Sequence, residues 1–228
     1  MPTIPFSRRQ WLGVSALGCG CALASSGGFV AAAAAPIPPG YTPPESVTDL
    51  SKAPGLRSKL LKGGEGQTRS YAVIPGKGDE IMSGMTAFAR RERLQAAHFT
   101  AIGAIERGLF GWFDKEVKAY RNLPVNDQAE VVSLVGDIGL VNGAPAVHVH
   151  AVVILADGTA RGGHLLEANV WPTLEVFLTD YPAPLLKELD AATDLSTCSS
   201  RRREMISDEK QAINVIGGGR TIRGRRSP

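Results

Sequence analysis

The sequence predicts an α+β fold: a mainly antiparallel, twisted β-sheet with a helix packed on one face. Three observations predict it. Short apolar or alternating runs recur from residue 97 to residue 178, each of strand length. Tight reversals separate several of them, at Asn142-Gly143 and Asp157-Gly158. Only one early segment carries a helical period, so helix and sheet segregate instead of alternating as in a parallel βαβ fold.

Two segments precede the domain. Residues 1–35 read as a twin-arginine signal peptide, with Ser7-Arg8-Arg9-Gln10-Trp11-Leu12 similar to the export motif. From Gln10 to Ala35 there is no charge, and the run ends in the small residues Ala31 to Ala35 that suit a signal peptidase. Its glycines, at 13, 18, 20, 27 and 28, make it a poor membrane anchor, so no stable membrane span is expected after cleavage. The location expected is periplasmic or secreted. Residues 36–66 hold six prolines and no sustained apolar period, and read as a Pro-rich linker or loosely docked arm.

The folded domain is read over residues 67–197. Residues 68–74 alternate as a strand and stop at Pro75-Gly76. Asp79 is the expected N-cap of a helix over 79–93, in which Ile81, Met85, Phe88 and Ala89 share one apolar face. Arg90 to Arg93 read as its solvated side. Strands are expected at 97–102 and 108–113, followed by Glu116 to Tyr120. A long strand is expected at 130–140, with a possible bulge at Gly136. Ala146 to Leu155 and Thr159 to Glu167 form a hairpin about Asp157-Gly158, and a last strand runs from Thr173 to Leu178. A short helical segment is expected around Leu185 to Leu189. Residues 198–228, with Gly217 to Gly219 and scattered arginines, read as a basic, disordered tail.

Charge and cysteine usage narrow the function classes. The tail from Cys198 carries eight Arg and Lys against three Asp and Glu, a net of +5. Residues 36–197 carry 15 basic and 19 acidic groups, a net of −4. The basic balance of the chain therefore belongs to its ends, and the folded body lacks the positive surface that phosphate binding requires. Cys19 and Cys21 leave with the signal, so the mature chain keeps Cys198 and forms no internal disulfide.

Three of the four histidines lie between residues 148 and 164. His148 and His150, two apart on a strand, project from one face. Their relation to His164 depends on the turn. A two-residue loop at Asp157-Gly158 pairs residues whose numbers sum to 315, and His164 then faces away from His150. A three-residue loop, Ala156-Asp157-Gly158, pairs residues that sum to 314, and His150 then sits opposite His164. The three-residue hairpin puts a left-handed residue last, where Gly158 stands, so turn chemistry selects the second register. A bulge at Gly162-Gly163 would shift it again. Opposed Cβ atoms lie about 4.5–5.5 Å apart, near enough for three imidazoles to meet one divalent ion. Three protein ligands leave a fourth position for water or substrate, as in catalytic zinc sites. Imidazole also suits nickel, copper and iron.

Other candidates are fewer. Glu175, alternating with Leu174 and Val176, is the candidate catalytic base or outer partner of the histidines. Glu167 and Asn169 follow His164 closely and could line the same pocket, while Arg161 reads as surface. His98 reads as a packing histidine. Ser and Cys nucleophile arrangements, phosphate-cradling glycine loops and Cys-x-x-Cys pairs are absent.

From Arg69 to Tyr181 the chain resembles the plants-and-prokaryotes-conserved domain family. The residues that carry the resemblance are Gly78-Asp79-Glu80-Ile81-Met82, Gly103-Ala104-Ile105, Glu130 to Gly136, His148-Val149-His150, Asp157-Gly158, Gly162-Gly163-His164-Leu165 and Glu175-Val176. The resemblance implies an antiparallel sheet domain that works as a homotrimer. It also implies a divalent metal, zinc by preference (Zn2+), at the positions of His148, His150 and His164. It implies no particular reaction. Plant members join the domain to AT-hooks; here Arg223-Gly224-Arg225 lacks the proline that would follow. The function expected is an exported trimeric metal-binding protein with an open coordination position, able to take a small-molecule ligand there. The alternatives are a structural or interaction trimer whose metal staples the sheet, and a DNA-binding protein.

Overall fold

The computed structural model describes residues 36–44, 47 and 49–199. The signal peptide assigned to 1–35, and the tail from residue 200 on, lie outside the described residues. The described elements are, in order, β1 Tyr41–Thr42, β2 Arg57–Lys62, β3 Arg69–Ile74, α1 Ile81–Arg91, β4 Ala97–Asp114, β5 Ala119–Val125, β6 Ala129–Val141, β7 Ala144–Ile154, β8 Ala160–Asp180, β9 Lys187–Asp190 and β10 Leu195–Cys198.

Eight strands form one sheet in the order β1-β5-β4-β6-β7-β8-β3-β2, and β4 also pairs with β8. Every pairing between these strands is antiparallel. The extra pairing closes a circuit β4–β6–β7–β8, which gives the sheet an inside and an outside. Alternation then sorts the side chains. Phe99, Ala101, Leu134, Ile138, Val149 and Ala151 are buried inside. His98, Thr100, Val135, Asp137, His148 and His150 alternate with them on the other face. Gly136 has no side chain because none fits: a Cβ there would meet Phe99 Cζ at 2.3 Å.

α1 supplies the rest of the core. Ile81, Met85, Phe88 and Ala89, the predicted apolar stripe, are each at most 1% exposed and join the same cluster as the strands. Its N-cap is Glu80, not Asp79 as expected. The buried Glu80 carboxylate accepts from Met82 N at 2.9 Å and Ser83 N at 2.6 Å, and reaches Ala168 N on β8 at 3.2 Å. Burial pushes the Glu80 carboxyl upward, and those N–H donors work against the shift. Asp79 instead ties the preceding loops together, accepting from Gly76 N at 2.7 Å and Gly55 N at 3.0 Å.

Several boundaries differ from expectation, each for a visible reason. The segment 36–66 is not a free linker: β1 pairs with β5, and β2 pairs with β3 along an edge of the sheet. All six residues of β2 are exposed, so backbone hydrogen bonds hold it and no apolar period betrays it. The runs 97–102 and 108–113 are one strand, β4, because the polar Glu106 and Arg107 between them simply face solvent. The bulge in β6 falls between Val131 and Ser133, not at Gly136. The runs expected at 159–167 and 173–178 likewise fall on one strand, β8, which begins at Ala160. The segment 185–189 is not helical. β9 pairs with β10, and Leu140 N donates to Leu185 O at 2.7 Å to dock this hairpin on β6.

Candidate metal centre

The β7–β8 hairpin adopts the three-residue register. His150 pairs with His164, and pairing continues unbroken to Ile154↔Ala160. Gly158 takes φ +81°, and its N–H donates to Leu155 O at 2.9 Å while Leu155 N donates to Thr159 O at 3.0 Å. The glycines before His164 do not break the register. They allow strands to crowd together: a Cβ on Gly163 would sit 2.7 Å from Gly111 O of β4.

On β7 the alternation points Val149, Ala151 and Val153 into the core, and leaves His148 and His150 on the far face with His164. The three rings form a nearly equilateral triangle. Centroids lie 5.0 Å apart for His148–His150, 5.2 Å for His148–His164 and 5.3 Å for His150–His164. One nitrogen from each ring lies within 4.8 Å of the others. His164 stacks on the buried Tyr120 ring, with centroids 4.2 Å apart and planes 9° apart. Its Nδ1 is buried without a hydrogen-bond partner, the kind of atom that a bound cation satisfies.

Outside the triangle, a chain of charge orients His148. Asp137 Oδ2 lies 3.3 Å from His148 Nδ1, and Asp137 Oδ1 is ion-paired with the buried Lys187 ammonium. Burial works to raise the Asp137 carboxyl, but the His148 ring and Lys187 outweigh it and hold it below the usual carboxylate range. A carboxylate on one imidazole nitrogen presents the other to a metal, the usual outer arrangement of a histidine ligand. Asp137→Ala is expected to weaken metal binding about 10–100-fold by loss of that orientation. It should also lower stability, since Lys187 is left buried without its partner. Metal titration and chemical unfolding of the same sample would check both; unchanged metal affinity would contradict the orienting role.

Burial holds His164 well below the ordinary histidine range, at about 3, aided by His148, His150 and Lys187. Burial and then His148 lower His150 as well. The His164 ring is therefore neutral, with a lone pair free for a metal, far into the acid range. Its folded value is below its unfolded value near 6.5, so the unfolded chain takes up a proton first as pH falls. The metal-free protein should thus lose stability between about pH 6.5 and pH 3. His164→Phe, which retains the stack on Tyr120, should flatten that part of the profile. Urea midpoints at pH 7 and pH 4 would show it.

The other candidate residues lie elsewhere. Glu175 is exposed and opposite Ile102 of β4, far along β8 from His164. Because β8 is one continuous strand, it carries Glu175 away from the histidines instead of returning it beside them. Within one chain Glu175 thus stands apart from the three histidines. Glu167 is exposed and pairs with Leu109, and Asn169 donates to Gly78 O at 3.1 Å. Arg161 is exposed on the hairpin. His98 stacks on Tyr181, and its Nδ1 lies 3.1 Å from the Tyr181 hydroxyl. The sequence reading missed Asp137, Lys187 and Tyr120. A signal existed for Asp137, because the two-residue Asn142-Gly143 turn pairs Val141 with Ala144 and so sets Asp137 opposite His148. Lys187 and Tyr120 carried none.

Comparison with known proteins agrees with this architecture. A solved protein from Bacteroides thetaiotaomicron VPI-5482, described as a proposed DNA-binding protein, is 26% identical, with a TM-score of 0.58. The match covers 64% of this chain and 99% of that one. A metal-containing protein from Archaeoglobus fulgidus is 25% identical with a TM-score of 0.54, over 62% of this chain and 97% of its own. A plant- and prokaryote-conserved protein from Pyrococcus horikoshii, 24% identical, shares the fold with a TM-score of 0.55 over 64% and 96%. No curated protein matches the chain. The Plants and Prokaryotes Conserved (PCC) domain model matches residues 62–182, more than half of the sequence, and the chain belongs to that domain family.

Proposed function

We propose that this protein binds one divalent metal ion per chain through His148, His150 and His164, leaving one coordination position open. The observation that carries the reading is the triangle of imidazoles, all within 4.8 Å at their ligand atoms and including an unpaired buried nitrogen on His164. Zinc is the preferred ion, since an all-imidazole set of three with an open fourth position is a zinc arrangement. Bound there, the metal would polarise a ligand oxygen or lower the pKa of a bound water. Tyr120 packs behind one ligand and Asp137 orients another. Elemental analysis of the mature protein, purified without a histidine tag and without added metal, tests the reading. About one divalent ion per chain is expected. No metal, together with failure of reloading, would return the histidines to packing.

The reading includes export by the twin-arginine route and assembly as a homotrimer. Export rests on the motif around Arg8 and Arg9 and on the uncharged run behind it. Assembly is supported by an apolar outer face: Ile102, Val132, Val135, Val152 and Phe177 are all exposed, 42–61% by residue. The register sets Phe177, Thr100, Val135 and His150 in one row across four strands, so this face runs up to the metal centre. Patches of that kind mark interaction surfaces. Sedimentation of the purified protein should give three chains; a monomer would remove this part of the proposal. A second reading, DNA binding, is favoured by the description of the Bacteroides relative. The net charge of −4 over residues 36–197 stands against it.

A further inference from the structure

Beside the metal centre lies a cavity of about 470 Å³, within the range of small-molecule pockets. His148, His164, Asp137 and Lys187 form its polar end. Its walls are mostly apolar, and part of them comes from segments beyond the 62–182 domain match. Pro43, Pro44 and Val47 contribute from the arm that β1 pins to β5, and Leu189 and Leu195 from the β9–β10 hairpin. Tyr120 and Val147 complete the wall beside the histidines. The arm and hairpin thus turn an open face of the matched domain into a partly covered cleft.

We propose that this cavity binds a small monocarboxylate with an aliphatic or aromatic body. The inference rests on the three-histidine metal reading for where the carboxylate goes. The polar end sums to excess positive charge, because a divalent ion and the Lys187 ammonium outweigh the Asp137 carboxylate, while Asp194, the other carboxylate of the lining, is ion-paired with Lys118 at 3.5 Å. An anionic oxygen is therefore favoured at the open metal position, in a partly desolvated setting where charge pairing is strong. On the remaining wall Asp194 opposes a second negative charge, and the apolar residues around it suit an apolar body, whose burial contributes in proportion to its area. A dicarboxylate would set its second charge against Asp194 or leave it unpaired against Pro43, Val47 and Leu195.

The test uses the full mature chain loaded with zinc, with metal content measured first. Calorimetric titration compares hexanoate, acetate and hexan-1-ol. Hexanoate is expected to bind at least about tenfold more tightly than either, since acetate lacks the body and the alcohol lacks the charge. Cys198, which lines the cavity, reports occupancy: hexanoate should slow its alkylation several-fold by peptide mass spectrometry. Leu195→Trp and, separately, Val141→Trp fill the cavity from two sides, and each should weaken hexanoate about tenfold or more with metal content unchanged. Retained metal shows that the variant is folded. Loaded protein that binds acetate and hexanoate equally, or hexanol as well as hexanoate, overturns the pocket and leaves the metal centre standing. Failure to take up metal at all overturns both.

Discussion

His150→Ala empties the metal centre while leaving the fold intact. The imidazole is exposed on the outer face of the sheet, and its removal takes away one of three ligands. Metal affinity should fall at least about 100-fold, roughly 3 kcal/mol, so that dialysed protein holds less than a tenth of an ion per chain. The stability of the metal-free form should move by no more than about 0.5 kcal/mol, the usual range for an exposed position. His98→Ala, on β4 and engaged with Tyr181, is the matched control and should keep its metal. If His150→Ala retains a full complement of metal, the three-histidine centre is wrong. If the variant loses its metal and also aggregates as unfolded monomer, the metal is a structural staple and not an open site.

Glu80→Ala is expected to destabilise the fold strongly. The buried carboxylate caps the first turn of α1 through Met82 N and Ser83 N and also receives Ala168 N of β8. Loss of an N-cap costs about 0.5–2 kcal/mol, and a buried N–H left without an acceptor about 1–3 kcal/mol. Together these predict a loss of about 2–4 kcal/mol by chemical unfolding. Glu80→Gln keeps one acceptor oxygen in place and should recover part of it. A change below about 1 kcal/mol for Glu80→Ala would mean that the helix end is satisfied without this side chain.

Much of the candidate site was legible because its logic is local. His148 and His150 share a face through strand alternation alone, and Gly158 at the end of a three-residue turn decides that His164 meets them. The apolar stripe of α1 was equally plain. Strand ends were harder. The alternation in β4 and β8 runs on through polar residues and glycines, and a reader of local pattern cuts it there. Glu175 was misplaced by that cut: its distance from the histidines follows from the length of β8, which no local signal records. β2 was invisible because an exposed edge strand is held by backbone hydrogen bonds, and these leave no mark on composition.

The sequence by itself determined the antiparallel class, the core face of the helix, the family and the three histidines, because each depends on periodicity, turn chemistry or motif spacing within a few tens of residues. Only the tertiary structure decided most of what surrounds those histidines. Tyr120 lies under His164 from β5, and Lys187 arrives from a hairpin 50 residues further on than Asp137. The cavity walls join both ends of the described chain to residues of its middle. Such contacts join segments distant in sequence. They form only when closure of the sheet brings β4, β6, β7 and β8 together, and burial then makes each charge answer for its neighbours.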